Sequence, residues 1–162
     1  MSVHLISEEA VRAALKDFNS LIKLLEEHPK GDDIGGKIRA RIREILTYTW
    51  SRGLAPTLTF YLAKGEEDTI KIVKEAFEGE EKLVEELEKL APEKIAYAII
   101  FYLTFKRLRQ LNFVSIDPKD PRSCLRELIE MDPVRRMYAT NLLTFYLLEF
   151  KKLCEATFEP ER

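Results

Sequence analysis

Cysteine is scarce in this chain: two residues in 162, Cys124 and Cys154, far apart in sequence. That excludes a disulfide framework and a Cys-x-x-Cys metal or redox motif, and reads instead as reduced thiols used as small apolar residues. Histidine is equally sparse. Neither His4 nor His28 is followed by Asp, so a helical His-Asp phosphohydrolase is excluded, and His28, beside Pro29 at a predicted helix end, reads as a residue that compensates the helix dipole. There is no His-Glu-x-x-His, no Gly-x-Ser-x-Gly and no nucleotide-binding loop; Gly35-Gly36 has no strand before it and no Lys-Ser/Thr after it. The expectation is a protein that is not an enzyme and needs no metal or cofactor. With six glycines and few alternating β-branched runs, a sheet is disfavoured too. The longest apolar stretch, 95–105, falls short of the roughly 20 residues that span a bilayer and runs into Lys106 and Arg107. No basic segment followed by an apolar run marks the N-terminus as a secretory signal, so the expected location is cytoplasmic, with no membrane partner.

What is present is apolar, charged and helical in period. Hydrophobic residues make up 46% and charged residues 33%, enough for a real core in one domain spanning 1–162. The net charge of -2 hides a strong segregation. Residues 66–93 carry 11 acidic and 4 basic groups; residues 94–112 carry 4 basic and none acidic. The densest basic block runs from Lys37 to Gly65, where Lys37, Arg39, Arg41, Arg43, Arg52 and Lys64 face a single acid, Glu44. On a helical wheel Ile34, Ile38, Ile42, Ile45 and Leu46 share one arc, with Lys37 and Arg41 on one edge and Arg39 and Arg43 on the other. Two readings stand side by side: long cationic side chains lying along a core stripe with their heads in water, or a cationic surface for phosphates.

In chain order, Ser7 followed by Glu8 and Glu9 predicts a helix start, with Val11, Ala14, Leu15, Phe18, Leu21, Ile22 and Leu25 as its apolar stripe, ending near Pro29 to Gly31. Asp33 is a candidate cap for the basic helix. Gly53-Leu54-Ala55-Pro56 predicts a break, with Gly53 closing one helix and Pro56 in the first turn of the next. Asp68 is a candidate cap for the helix that Gly79 ends. A short helix over 80–90 follows, with Leu83, Val84, Leu87 and Leu90 inward. Pro92 begins the central buried helix, to about Asn112. Residues 114–122 are the main loop; Asp120-Pro121 and Asp132-Pro133 read as helix starts, for a short helix over 125–131 and a long one to about Thr157. Phe60-Tyr61-Leu62, Phe101-Tyr102-Leu103 and Phe145-Tyr146-Leu147 read as core aromatics of three helices. The fold expected is an all-α, compact single-domain bundle of about six to eight helices.

The segment Arg52-Gly53-Leu54-Ala55-Pro56-Thr57-Leu58-Thr59-Phe60-Tyr61-Leu62-Ala63-Lys64 resembles a pattern of the small α-helical subunit of type III-B CRISPR RNA-targeting complexes: polar, Gly-Leu, two variable positions, Thr-Leu, small, Phe, two variable positions, small, Lys. Tyr138-Ala139-Thr140 and Phe150-Lys151-Lys152-Leu153 are similar to two further segments of that family. Length and helical order agree along most of the chain, but only the Arg52–Lys64 segment and the segments of the last helix are specific. The chain departs from the family at Arg52, often Asn; at Pro56, often Gln; at Leu142, where an acid is frequent; and at Glu149, where a Trp is expected.

The resemblance implies a non-catalytic subunit that associates with copies of itself and with other subunits of the effector complex, beside the guide RNA–target RNA duplex, and helps to hold the target RNA backbone. Joined to the charge pattern, it nominates Lys37, Arg39, Arg41, Arg43, Arg52, Lys64, Lys106, Arg107, Arg109, Lys151 and Lys152 as RNA-contacting cations. The alternative is a structural scaffold that makes only protein–protein contacts, its basic helices meeting acidic surfaces such as 66–93 of a neighbouring copy.

Overall fold

The computed structural model describes residues 2–79 and 82–161, the side chains of 3 and 82–84 excepted. Among the described residues there are eight helices and no strand: α1 (Val3–Glu26), α2 (Gly31–Arg52), α3 (Leu54–Gly65), α4 (Glu67–Phe77), α5 (Lys82–Leu87), α6 (Pro92–Gln110), α7 (Pro121–Glu130) and α8 (Pro133–Thr157). The all-α bundle is therefore the fold. No helix among the described residues is long and apolar enough to cross a membrane.

The bundle is built around α6. Every residue from Ile95 to Phe105 is buried, and α6 packs against α2, α3, α4 and α8. A helix apolar on all sides has no solvent face to prefer, so it is driven to the middle. On its flank α1 lies along α8, and α2 spans both layers by packing on α6 and α8. The Ile stripe of α2 (Ile34, Ile38, Ile42, Ile45) is fully inward. Tyr61, Tyr102 and Tyr146, the middle residues of the three aromatic triplets, are all buried. Cys124 and Cys154 are free buried thiols; burial pushes the Cys124 thiol up to about 12.

The helix starts at Pro92, Pro121 and Pro133 follow the sequence expectation. Asp120 accepts from the Ser123 N–H, and Asp132 accepts from the N–H groups of Val134 and Arg135. Other boundaries differ. The first helix begins at Val3 rather than Ser7, because the Ser2 hydroxyl caps it by accepting the Leu5 N–H at 3.3 Å. Leu15 of the predicted stripe is exposed, while Ala10 and Leu24 are inward. Asp33 is not a cap: α2 already starts at Gly31, leaving Asp32 and Asp33 in its first turn near the positive dipole end. Asp68 is not a cap either, since α4 starts one residue earlier. The helix expected over 125–131 begins at Pro121. Of the residues expected inward from the short helix, Leu87 is buried and Leu90 packs on the core; Leu83 and Val84 lie outside the described side chains.

His28 is corrected as well. It does not merely sit at a helix end: it is buried, its Nδ1 accepts the Lys30 N–H at 3.0 Å, and its Nε2 therefore carries the hydrogen and donates to the Leu87 carbonyl at 3.2 Å. The ring ties the α1–α2 turn to the end of α5.

The α2–α3 junction positions the site. Gly53 sits at φ 90°, ψ 160°, a conformation open essentially to glycine alone. Its N–H donates to the Thr49 carbonyl, and its own carbonyl accepts both the N–H and the hydroxyl of Thr57. One residue thus ends α2 and starts α3, with Pro56 in the first turn.

Candidate nucleic-acid interface

The sequence nominated eleven cations, and the fold sorts them into four kinds. The first kind is structural. Arg107 is 3% exposed, its Nη1 donates to Glu9 Oε1 at 2.9 Å, and its guanidinium lies 5.6 Å from the Tyr146 ring centre. Lys106 donates to Asp17, itself 2% exposed, at 2.6 Å. These two are committed to tying α6 to the paired helices α1 and α8, so Arg107 leaves the candidate surface and Lys106 is held inward by a buried carboxylate.

The second kind lines the α2 edge. Arg41 bridges Glu44, Glu93 and Glu161, and lies 5.3 Å from the Tyr97 ring centre. Lys37 reaches Asp33 at 3.4 Å and Glu161 at 3.8 Å. Arg39 donates to the Phe158 carbonyl at 2.8 Å. These contacts clip the segment after α8 onto α2, the edge-of-stripe use of long cationic side chains.

The third kind is paired but open to water. Arg43 meets Glu155 at 3.3 Å, Lys151 meets the same carboxylate at 3.8 Å, Lys152 meets Glu149 at 2.9 Å and Arg109 meets Asp117 at 3.4 Å. Surface pairs of this sort are worth about 0–1 kcal/mol, so a phosphate can compete for their cations.

The fourth kind makes neither an ion pair nor a side-chain hydrogen bond among the described residues: Arg52 and Lys64. Both are exposed and both lie against an aromatic ring, Arg52 at 4.5 Å from the Tyr48 centroid and Lys64 at 5.7 Å from that of Phe60. Tyr48 and Phe60 pack edge to face at 6.3 Å. A cation, two rings and a second cation thus run across the α2–α3 pair, and the cations stand at the two ends of the Arg52–Lys64 segment.

Beside Arg52 the surface opens into a groove of about 490 Å³. Thr49, Trp50 and Arg52 line it from the end of α2, Gly53 to Pro56 from the junction, and Pro133, Arg136, Met137, Thr140, Asn141 and Thr144 from the first half of α8. The two sequence segments that carry the family resemblance, about 80 residues apart, therefore meet on one cavity. No carboxylate is among the lining residues. Asp132, the nearest acid along α8, is engaged in capping that helix. Trp50, the single tryptophan, is 81% exposed at the groove, and Met137 and Tyr138 on α8 are 58% and 63% exposed. The Thr49 hydroxyl is buried there without a hydrogen-bond partner.

Sequence reasoning missed Trp50, Arg136, Met137 and Asn141. Trp50 carried a usable signal: it is the only tryptophan, and it lies about 100° off the Ile38–Ile42–Ile45–Thr49 arc, so it cannot join the core stripe. Arg136 and Asn141 carried none, because nothing local says that α8 lies against the α2–α3 break.

The chain matches no protein-family model and no curated protein sequence.

Proposed function

We propose that the chain is a non-catalytic helical subunit of an RNA-guided RNA-targeting complex of the type III-B CRISPR kind, and that it contacts RNA through the α2–α3 pair and the adjoining groove. One observation carries this reading. Of the eleven nominated cations, Arg39, Arg52 and Lys64 have no acidic partner among the described residues; Arg39 is held by the Phe158 carbonyl, and the two left exposed, Arg52 and Lys64, are the first and last residues of the segment that resembles the family. The same segment shares the groove with Met137, Thr140 and Asn141, in and beside the second resembling segment. Cations held on aromatic faces keep their charge available without a competing carboxylate, and phosphate neutralisation is the main source of sequence-independent affinity for nucleic acid. Sequence specificity would come from guide–target base pairing.

The test is reconstitution of a type III-B effector complex from its other subunits, with and without this chain. Target RNA should be held more weakly without it. Wild type should restore retention, and a double charge reversal, R52E with K64E, should join the complex but restore little. Failure of the wild-type chain to co-assemble would overturn the reading. A charge-reversed chain that restores retention fully would favour a scaffold that makes protein contacts alone.

A further inference from the structure

We propose that the groove between the α2–α3 break and α8 holds one unstacked nucleotide of single-stranded RNA, its base on the Trp50 indole and its phosphates between Arg52 and Arg136. The inference rests on the RNA-contacting reading above and gives that contact a place and a strandedness.

Four observations carry it. An indole 81% exposed in water is an unspent stacking face, and base–aromatic stacking accepts any base because every base has a π-face. Two arginines flank the cavity, neither paired with a carboxylate among the described residues: Arg52 rests on Tyr48, and Arg136 donates only to the Ile129 carbonyl at 3.2 Å. No acid lines the groove although the chain is acidic overall, so no lining carboxylate repels an anion there. Polar groups of the right chemistry for a base edge are present: the Asn141 amide, with both donor and acceptor, and the Thr49 hydroxyl, nine-tenths buried and without a partner.

The volume of about 490 Å³ lies within the usual span of small-molecule sites, about 300–1,000 Å³. A duplex cannot use such a site, because its bases are stacked and their faces covered. Recognition is therefore of a single strand, a loop or an unpaired position beside a duplex.

Trp50 is also the reporter. Emission from the purified full chain is followed during titration with a single-stranded RNA 10-mer, with the corresponding duplex, and with AMP. Binding of the labelled 10-mer is measured in parallel by anisotropy for wild type, W50L and R136A. The single strand is expected to quench the emission; the duplex should leave it nearly unchanged, and AMP should quench only at much higher concentration. W50L, at an exposed position where folding is not at stake, should weaken the single strand about ten-fold. R136A should weaken it and reduce the salt slope by about 0.7. RNA binding with unchanged Trp50 emission and an unaffected W50L would overturn the groove assignment while leaving backbone contact elsewhere intact. AMP binding as tightly as the 10-mer would overturn the strand assignment. No RNA binding, with Trp50 emission changing instead as the chain self-associates, would overturn both readings and make the groove a protein interface.

Discussion

Tyr146 donates its phenolic hydrogen to Asp17 at 2.6 Å inside the bundle, and the other oxygen of that carboxylate accepts from Lys106 at 2.6 Å. With Arg107 lying over the Tyr146 ring and bonded to Glu9, five side chains from α1, α6 and α8 form one polar network. Burial first, and then the Asp17 charge, raise the Tyr146 hydroxyl well above the ordinary tyrosine range, so it stays protonated and can donate to Asp17.

Removing either donor leaves a buried carboxylate underserved. Y146F is expected to destabilise the fold by about 1–3 kcal/mol. K106M is expected to cost about 2–3 kcal/mol, less than a fully buried pair because Lys106 is partly exposed. Urea unfolding measures both. The consequence for function is that K106E should lose stability first, and any loss of RNA binding should track unfolding. A K106E chain of normal stability that no longer binds RNA would return Lys106 to the interface.

Glu9 is the acid partner of a buried guanidinium, and the Arg107 hydrogen bond, only partly opposed by burial, holds its carboxyl below the ordinary value of 4.5. A depressed carboxylate contributes stability that is present above its unfolded pKa and is lost as pH falls through the folded value. E9Q should therefore cost about 1–2 kcal/mol at pH 7, discounted for the exposure of Glu9. The gap between wild type and E9Q should narrow as pH falls below the ordinary glutamate value of 4.5. Urea midpoints of the two proteins from pH 7 downward test this; a gap that does not narrow with falling pH would remove the charge pair as its cause.

Two single-residue joints of the same shape flank α3. Gly53 holds φ 90°, ψ 160°, and Glu66 holds φ 67°, ψ 146° without being a glycine. G53A would place its Cβ in ordinary van der Waals contact, 3.7 Å from Pro56 Cδ and without a clash, so its cost is backbone conformation alone, about 1–3 kcal/mol. E66G should do the reverse and stabilise by about 1 kcal/mol, after loss of an exposed pair with Lys94 worth about 0.5 kcal/mol. Thermal unfolding of the two variants should move in opposite directions. Equal and opposite shifts near zero would mean that neither joint carries backbone strain.

Which parts of this were legible in sequence follows from range. Caps act within four residues, so Asp120, Asp132 and the Gly53 break could be read directly. Ser7 misled because a serine followed by two glutamates is the stronger local start signal, while Ser2, the residue that caps the helix, has no acid in the turn after it. The long apolar run of α6 announced a central helix. Cation pairing was not legible, because the deciding partners are distant: Glu9 for Arg107, Asp17 for Lys106, Glu161 for Arg41. Charge counts alone made the 94–112 block look like an RNA surface, whereas two of its four cations brace the core. The groove was illegible for the same reason, since α8 supplies half of it.

The most direct test of the central claim is photocrosslinking of 4-thiouridine-substituted target RNA to the assembled complex, with the linked peptides of this chain mapped by mass spectrometry. Crosslinks are expected in 48–64 and 133–144, the two faces of the groove and the Arg52–Lys64 segment. Crosslinks confined to other segments, or none to this chain while its neighbours are labelled, would contradict an RNA-contacting role and leave a subunit that works through protein contacts.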